Sequence, residues 1–210
     1  MSERDSTERR RHIAAAGLFF GPPLYMVGEF VHHQIEALPL WAAAISLLGL
    51  YIWIGGIMGL VHLLRPGADR LGLLGGAAAF LGLVAVTNIM LLQFVFTLVD
   101  RKVRAYPDLI AEIFNNVLVV TYLFGPTFPA ALALLACGLL WRRIFPRWMA
   151  LTFLIGALAF PTGRVGGMPW LIHASDFVLS IGAMAMGWHL EKRPELWYPT
   201  TSRSEIPWNS

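Results

Sequence analysis

Six apolar stretches divide this chain, most of them about as long as a bilayer is thick, and most of its charges sit between them. Hydrocarbon offers no partner to a backbone N–H or C=O. A segment crossing it must therefore be a helix, or a strand in a closed barrel. About 20 apolar residues suffice for a helix. The stretches run from about Ile13 to Val31, Leu40 to Leu64, Leu71 to Val99, Ile113 to Trp141, Trp148 to Thr162 and Trp170 to Leu190. The expected fold class is an all-α membrane protein, a bundle of six transmembrane helices. Only 14% of the residues are charged and 57% are hydrophobic, whereas a soluble domain carries ~25% charged residues. Residues 1–12 read as a basic N-terminus, 13–190 as the transmembrane domain and 191–210 as a tail.

Basic residues set the expected orientation. Arg4, Arg9, Arg10, Arg11, Arg65, Arg70, Arg142, Arg143, Arg147, Lys192, Arg193 and Arg203 fall on the side of the N-terminus, against Arg101, Lys102, Arg104 and Arg164 opposite. This bias places both termini in the cytoplasm. A multi-pass protein of the bacterial cytoplasmic (inner) membrane is expected, with the first apolar segment retained as a helix and not cleaved as a signal peptide. Its partners would be the lipid bilayer and other membrane subunits or further copies of itself, and not nucleic acid. Trp141, Trp148, Trp188 and Trp197 would form the inner aromatic belt, with Trp41 and Trp170 in the outer one. The tail aromatics are expected to dock on the membrane surface or on a partner subunit. The single cysteine, Cys137, excludes intrachain disulfides and cysteine-rich metal sites, and is expected to be a buried packing residue. Gly55 with Gly59, and Gly72 with Gly76, have the spacing that lets helices approach closely. Kinks are expected at Gly21-Pro22-Pro23, at Gly125-Pro126 with Pro129, and at Pro161.

Polar residues inside spans are costly and mark function by default. Here they gather toward the outer side. Glu29, His32, His33 and Glu36 share one face of the first helix at ~100° per residue. Asn88 and Gln93 lie in the third helix, Glu112, Asn115 and Asn116 open the fourth, Arg164 ends the fifth, and His173 with Asp176 opens the sixth. Together they suggest a polar cavity open to the outer side. Its ligand-binding residues would be Asn88, Gln93, Glu112, Asn116, Arg164 and Asp176. Its metal donors would be Glu29, His32, His33 and His173, because Glu29-x-x-His32 has the spacing of carboxylate–histidine pairs in metal-binding bundles. Such donors suit a divalent zinc, iron or manganese ion.

Other readings of the same residues remain open. Glu29 and His33 can form a surface ion pair, and His32 and Glu36 can be solvated in the first outer loop. Arg164 can simply neutralise Asp176 or Glu112. His32 or His33 with His173 could ligate haem b in an electron-transfer protein, the inner pair being His62 and His189. An accessory or assembly subunit of a larger membrane complex is a further alternative. A transporter is less favoured, because the inner half lacks a polar pathway.

Leu63-Leu64-Arg65-Pro66, Phe124-Gly125-Pro126-Thr127-Phe128-Pro129 and the turn Trp141-Arg142-Arg143-Ile144-Phe145-Pro146-Arg147-Trp148, with Gly156, carry a resemblance. With them the chain resembles an uncharacterised family of six-helix bacterial integral membrane proteins, a domain of unknown function. The resemblance covers roughly two thirds of the chain. It implies the six-helix topology and brings no activity. The histidines His32, His33 and His173 lie outside its pattern.

Overall fold

The computed structural model of the protein describes residues 3–34, 40–64, 74–84, 86, 87, 91 and 126–197; the side chains of 3, 4 and 32–34 lie outside that description. The described part is helical and, within it, without strands. Helix α1 spans Glu3–Gln34, α2 Leu40–Leu64 and α3 Leu74–Val84. Helix α4 spans Thr127–Arg142, α5 Arg147–Val165 and α6 Pro169–Lys192, and a 3-10 turn follows at Pro194–Leu196. Four of these, α1, α2, α5 and α6, are long and apolar enough to cross a membrane, whereas α3 and α4 are shorter apolar helices. The expected spans at 71–99 and 113–141 are thus seen only in part, their other residues lying outside the described set.

Helix α1 takes in most of the basic N-terminal segment, being helical from Glu3. It contains Pro22 and Pro23 and continues to Gln34. The fifth span, read as the shortest, is a full 19-residue helix that contains Pro161.

Backbone proximity holds the bundle together. A Cβ added to Gly21 would stand 2.7 Å from the Cα of Trp53, and one added to Gly56 would stand 2.7 Å from the amide of Leu18. The glycines of α1 and α2 thus let the two helices pack backbone to backbone as an antiparallel hairpin. The α5–α6 hairpin repeats the device with Gly156 against Leu179, Gly163 against Ile172 and Gly182 against Phe153. Gly55 and Gly59 of the expected close-contact pair lie against Ile13 and Ala14 of α1. In hydrocarbon, dispersion contact and not water exclusion drives such association, so small residues are favoured at the seam.

Between the hairpins lies an apolar core, with Leu18, Leu50, Trp53, Phe128, Leu135, Phe153 and Met186 all fully buried. Outward faces carry Phe20, Tyr51, Leu74, Phe80, Ile155 and Trp188, more than half exposed in a protein-only environment. This inside-out distribution suits lipid. Cys137 is exposed and so is not the packing residue expected. Its face of α4 points away from the buried side that carries Leu135, Ala136 and Gly138.

The α4–α5 turn is legible residue by residue. Arg143 takes the left-handed conformation at φ 51° and its N–H reaches Leu140 O at 3.2 Å, while Ile144 N–H reaches Leu139 O at 3.2 Å. This is the Schellman pattern, including the apolar contact it favours between the residue after the turn and the last helical turn, since Leu139 and Ile144 are both buried. Pro146 then sets the start of α5.

At the end of the bundle that holds the start of α1, a second device joins α1 to α6. Arg11 is 5% exposed. Its Nη1 donates to Leu190 O at 3.2 Å and to Glu191 O at 3.0 Å, two of the last carbonyls of α6. Glu191 also lies 3.5 Å from Arg11 and 3.0 Å from His12 Nδ1. A cation at a helix C-terminus satisfies carbonyls that the helix leaves open and complements its dipole. Trp197, expected in the belt, is instead 4% exposed and stacks on His62, the ring centroids 4.4 Å apart. The tail aromatic docks on its own bundle.

Replacing Gly156 by Leu is expected to lower stability by about 1–3 kcal/mol, the usual cost of overpacking, whereas Leu158→Phe, on the exposed face of the same helix, should be neutral. Thermal unfolding of the two variants in detergent, followed by size-exclusion chromatography, reads the difference. Equal melting temperatures would show that the seam is not closely packed.

Candidate functional site

Toward the other end of α1 the chain assembles its main polar cluster. Glu29 lies in the last turns of α1, Arg164 in the last turn of α5 and Asp176 in the second turn of α6. The α5–α6 hairpin sets Arg164 opposite Asp176, and antiparallel packing of α6 on α1 brings Glu29 to both. Arg164 Nη1 donates to Asp176 Oδ1 and Nη2 to Asp176 Oδ2, each at 3.1 Å. This is a two-pronged pair, which fixes orientation as well as charge. Nη2 also donates to the Tyr25 hydroxyl at 3.1 Å and lies 3.6 Å from Glu29 Oε2. Nη1 reaches the Phe160 carbonyl one turn back at 3.4 Å, and the guanidinium carbon sits 3.6 Å from the centre of the Phe160 ring. A cation over an aromatic face gains further stabilisation, more so away from water.

Burial within the cluster is uneven. The side chains of Asp176 and Glu29 are 2% and 7% exposed, and that of Arg164 is 25% exposed. Among the described residues, then, the guanidinium edge is the part of the cluster most open to the surroundings. Among the described residues the charges do not balance either, with two carboxylates facing one guanidinium. Asp176 takes both prongs of the fork, while Glu29 stands beyond hydrogen-bond distance at 3.6 Å. Among the described residues Arg164 is its only ionic partner.

Four expected site residues are placed in full. Glu29, Arg164 and Asp176 meet. His173 is half-buried one turn before Asp176, with its ring edge-on to Phe30 at 5.0 Å. His32 and His33 lie on α1, but their side chains are outside the described set. Glu36, Asn88, Gln93, Glu112, Asn115 and Asn116 also lie outside it. The expected metal site is not supported, because among the described residues no three of His, Cys, Asp and Glu converge. Physically, Glu29 and Asp176 are drawn together by an arginine, and a fixed cation between two carboxylates repels a metal ion. The inner histidines of the haem reading are taken up in aromatic contacts, His62 with Trp197 and His189 with Phe145 at 5.9 Å.

Sequence reading missed Tyr25 and Phe160. Each sits four residues before a residue it did identify, Glu29 and Arg164, and so lies on the same helical face. An aromatic one turn from an intramembrane charge was the available signal. No protein-family model, curated protein or solved structure matches the chain.

Removing one side of a buried ion pair leaves the other uncompensated, typically at ~3–5 kcal/mol. Arg164→Ala is expected to lower stability by an amount in that range, and Arg164→Lys should recover only part because it lacks the fork. Adding Asp176→Asn and Glu29→Gln to Arg164→Ala should restore much of the loss. Chemical unfolding in mixed micelles would measure all three proteins. An Arg164→Ala protein as stable as the parent would contradict the pairing.

Proposed function

We propose that the protein is a multi-pass protein of the bacterial cytoplasmic membrane that binds a small ligand at the Glu29–Arg164–Asp176 cluster, the cluster lying on the outer side. The reading rests on one observation, the carboxylate of Glu29, which is in surplus among the described residues. Buried charges are usually paired and hydrogen-bonded, and an exception inside a span is a functional candidate. Glu29 has acceptor capacity that Arg164, engaged with Asp176 and Tyr25, leaves unused. A ligand carrying a cationic or hydrogen-bond-donating group would complete the set. Arg164 would fix the position of Asp176 and Tyr25, Glu29 would contact the ligand, and the rings of Phe160, Phe30 and His173 would flank it. The twelve-to-four distribution of Lys and Arg supports the orientation.

The accessory-subunit reading makes a different demand. If the cluster serves only to hold helices, Glu29 has no ligand and Glu29→Gln is silent. The separating experiment is a thermal-shift screen of the protein in nanodiscs against small primary amines and guanidines. A ligand at 100 times its dissociation constant raises stability by ~2.7 kcal/mol. At least one compound is expected to raise the melting temperature of the parent and to fail with Glu29→Gln, which should itself fold normally. No shift from any compound, or an equal shift in both proteins, would sink the proposal.

A further inference from the structure

A second feature, at the opposite end of α1, is independent of the Glu29 cluster. A groove of about 240 Å³ opens between α1 and α2, lined among others by Arg10, Ile13, Gly55, Met58, His62 and Trp197. Its floor is apolar and glycine-lined. At 240 Å³ it is smaller than the ~300–1,000 Å³ of pockets that enclose drug-sized ligands, and it fits a headgroup or a length of one acyl chain. Arg10 and Arg11 are adjacent but point to different duties. Arg11 is buried and bonded to the end of α6. Arg10 is exposed at the rim of the groove. Trp197, 4% exposed, forms one wall.

We propose that this groove seats one anionic phospholipid. Arg10 holds the phosphate, and an acyl chain lies along Ile13 and Met58, which are 51% and 53% exposed. Two observations converge on this occupant. The cation at the rim complements a phosphate. The apolar face below it complements a chain. Depth agrees, since Arg10 stands three residues before the first apolar stretch, at the level where phosphates lie. Arg9, one position away, lines a different surface with Asp5, Glu8 and His12 and is not part of the groove.

Native mass spectrometry of the full chain, released from micelles containing equal phosphatidylglycerol and phosphatidylcholine, tests this. The parent is expected to retain one phosphatidylglycerol in preference to phosphatidylcholine. Arg10→Gln should lower that preference about fivefold, the factor corresponding to ~1 kcal/mol for one basic residue at an anionic surface. Met58→Trp, which fills the groove from its exposed side, should lower retention of the lipid while leaving Arg10 in place. Arg9→Gln should leave both unchanged. Equal retention of the two lipids by the parent, or an equal effect of Arg9→Gln and Arg10→Gln, would overturn the site in favour of diffuse surface attraction. Retention unaffected by Met58→Trp would overturn it as well.

Discussion

One guanidinium bears on three of the four long helices. Arg164 leaves α5, pairs with Asp176 of α6, and reaches Tyr25 and Glu29 of α1. In an apolar bundle such a group has few places to go. Its desolvation is costly, and only a matched set of acceptors offsets that cost. The acceptors must therefore be assembled, and assembling them fixes the rotation of α1 about its own axis and the register of α6 on α5. The glycine seams then act on helices whose facing sides are already decided. Tight backbone contact at Gly156 and Gly163 requires one registration of α5 on α6, the same one that sets Arg164 beside Asp176. Packing and charge pairing specify the same arrangement, and such agreement between levels marks a sequence with a single preferred fold.

Much of this was legible in the sequence because it follows from one-dimensional rules. Apolar length gave the long helices α1, α2, α5 and α6. The spacing of Gly55 and Gly59 gave a close contact, and Arg164 with Asp176 was one of the pairings considered across the last two helices. What was not legible depends on three-dimensional neighbours. Glu29 looked like a metal donor beside His32, because spacing along one helix cannot reveal that an arginine from another helix arrives first. Cys137 was assigned to the interior on residue type, but its position on α4 faces outward. Trp197 looked like a belt residue because its distance from the membrane boundary was right, yet the Pro194–Leu196 turn folds it back over His62.

Arg164 and Arg11 divide the labour. Arg164, a quarter exposed, chiefly holds side chains, the Asp176 carboxylate and the Tyr25 phenol. Buried Arg11 chiefly holds backbone, closing carbonyls at the end of α6 that the helix leaves open. The first depends above all on the charge of Asp176. The backbone bonds of the second tolerate sequence change on α6, because every residue presents the same carbonyl.

Arg11 and Glu29 are 18 positions apart on α1, or ~27 Å at the rise of an α-helix. On α6 the corresponding points, Asp176 and Leu190, are 14 positions apart, or ~21 Å, and the long side chains of Arg11, Arg164 and Glu29 span the difference. Sliding α6 along α1 would pull on both sets of contacts at once. A bilayer thinner than this interval is met more readily by tilting the fastened pair than by telescoping it, which turns membrane thickness into a tilt angle.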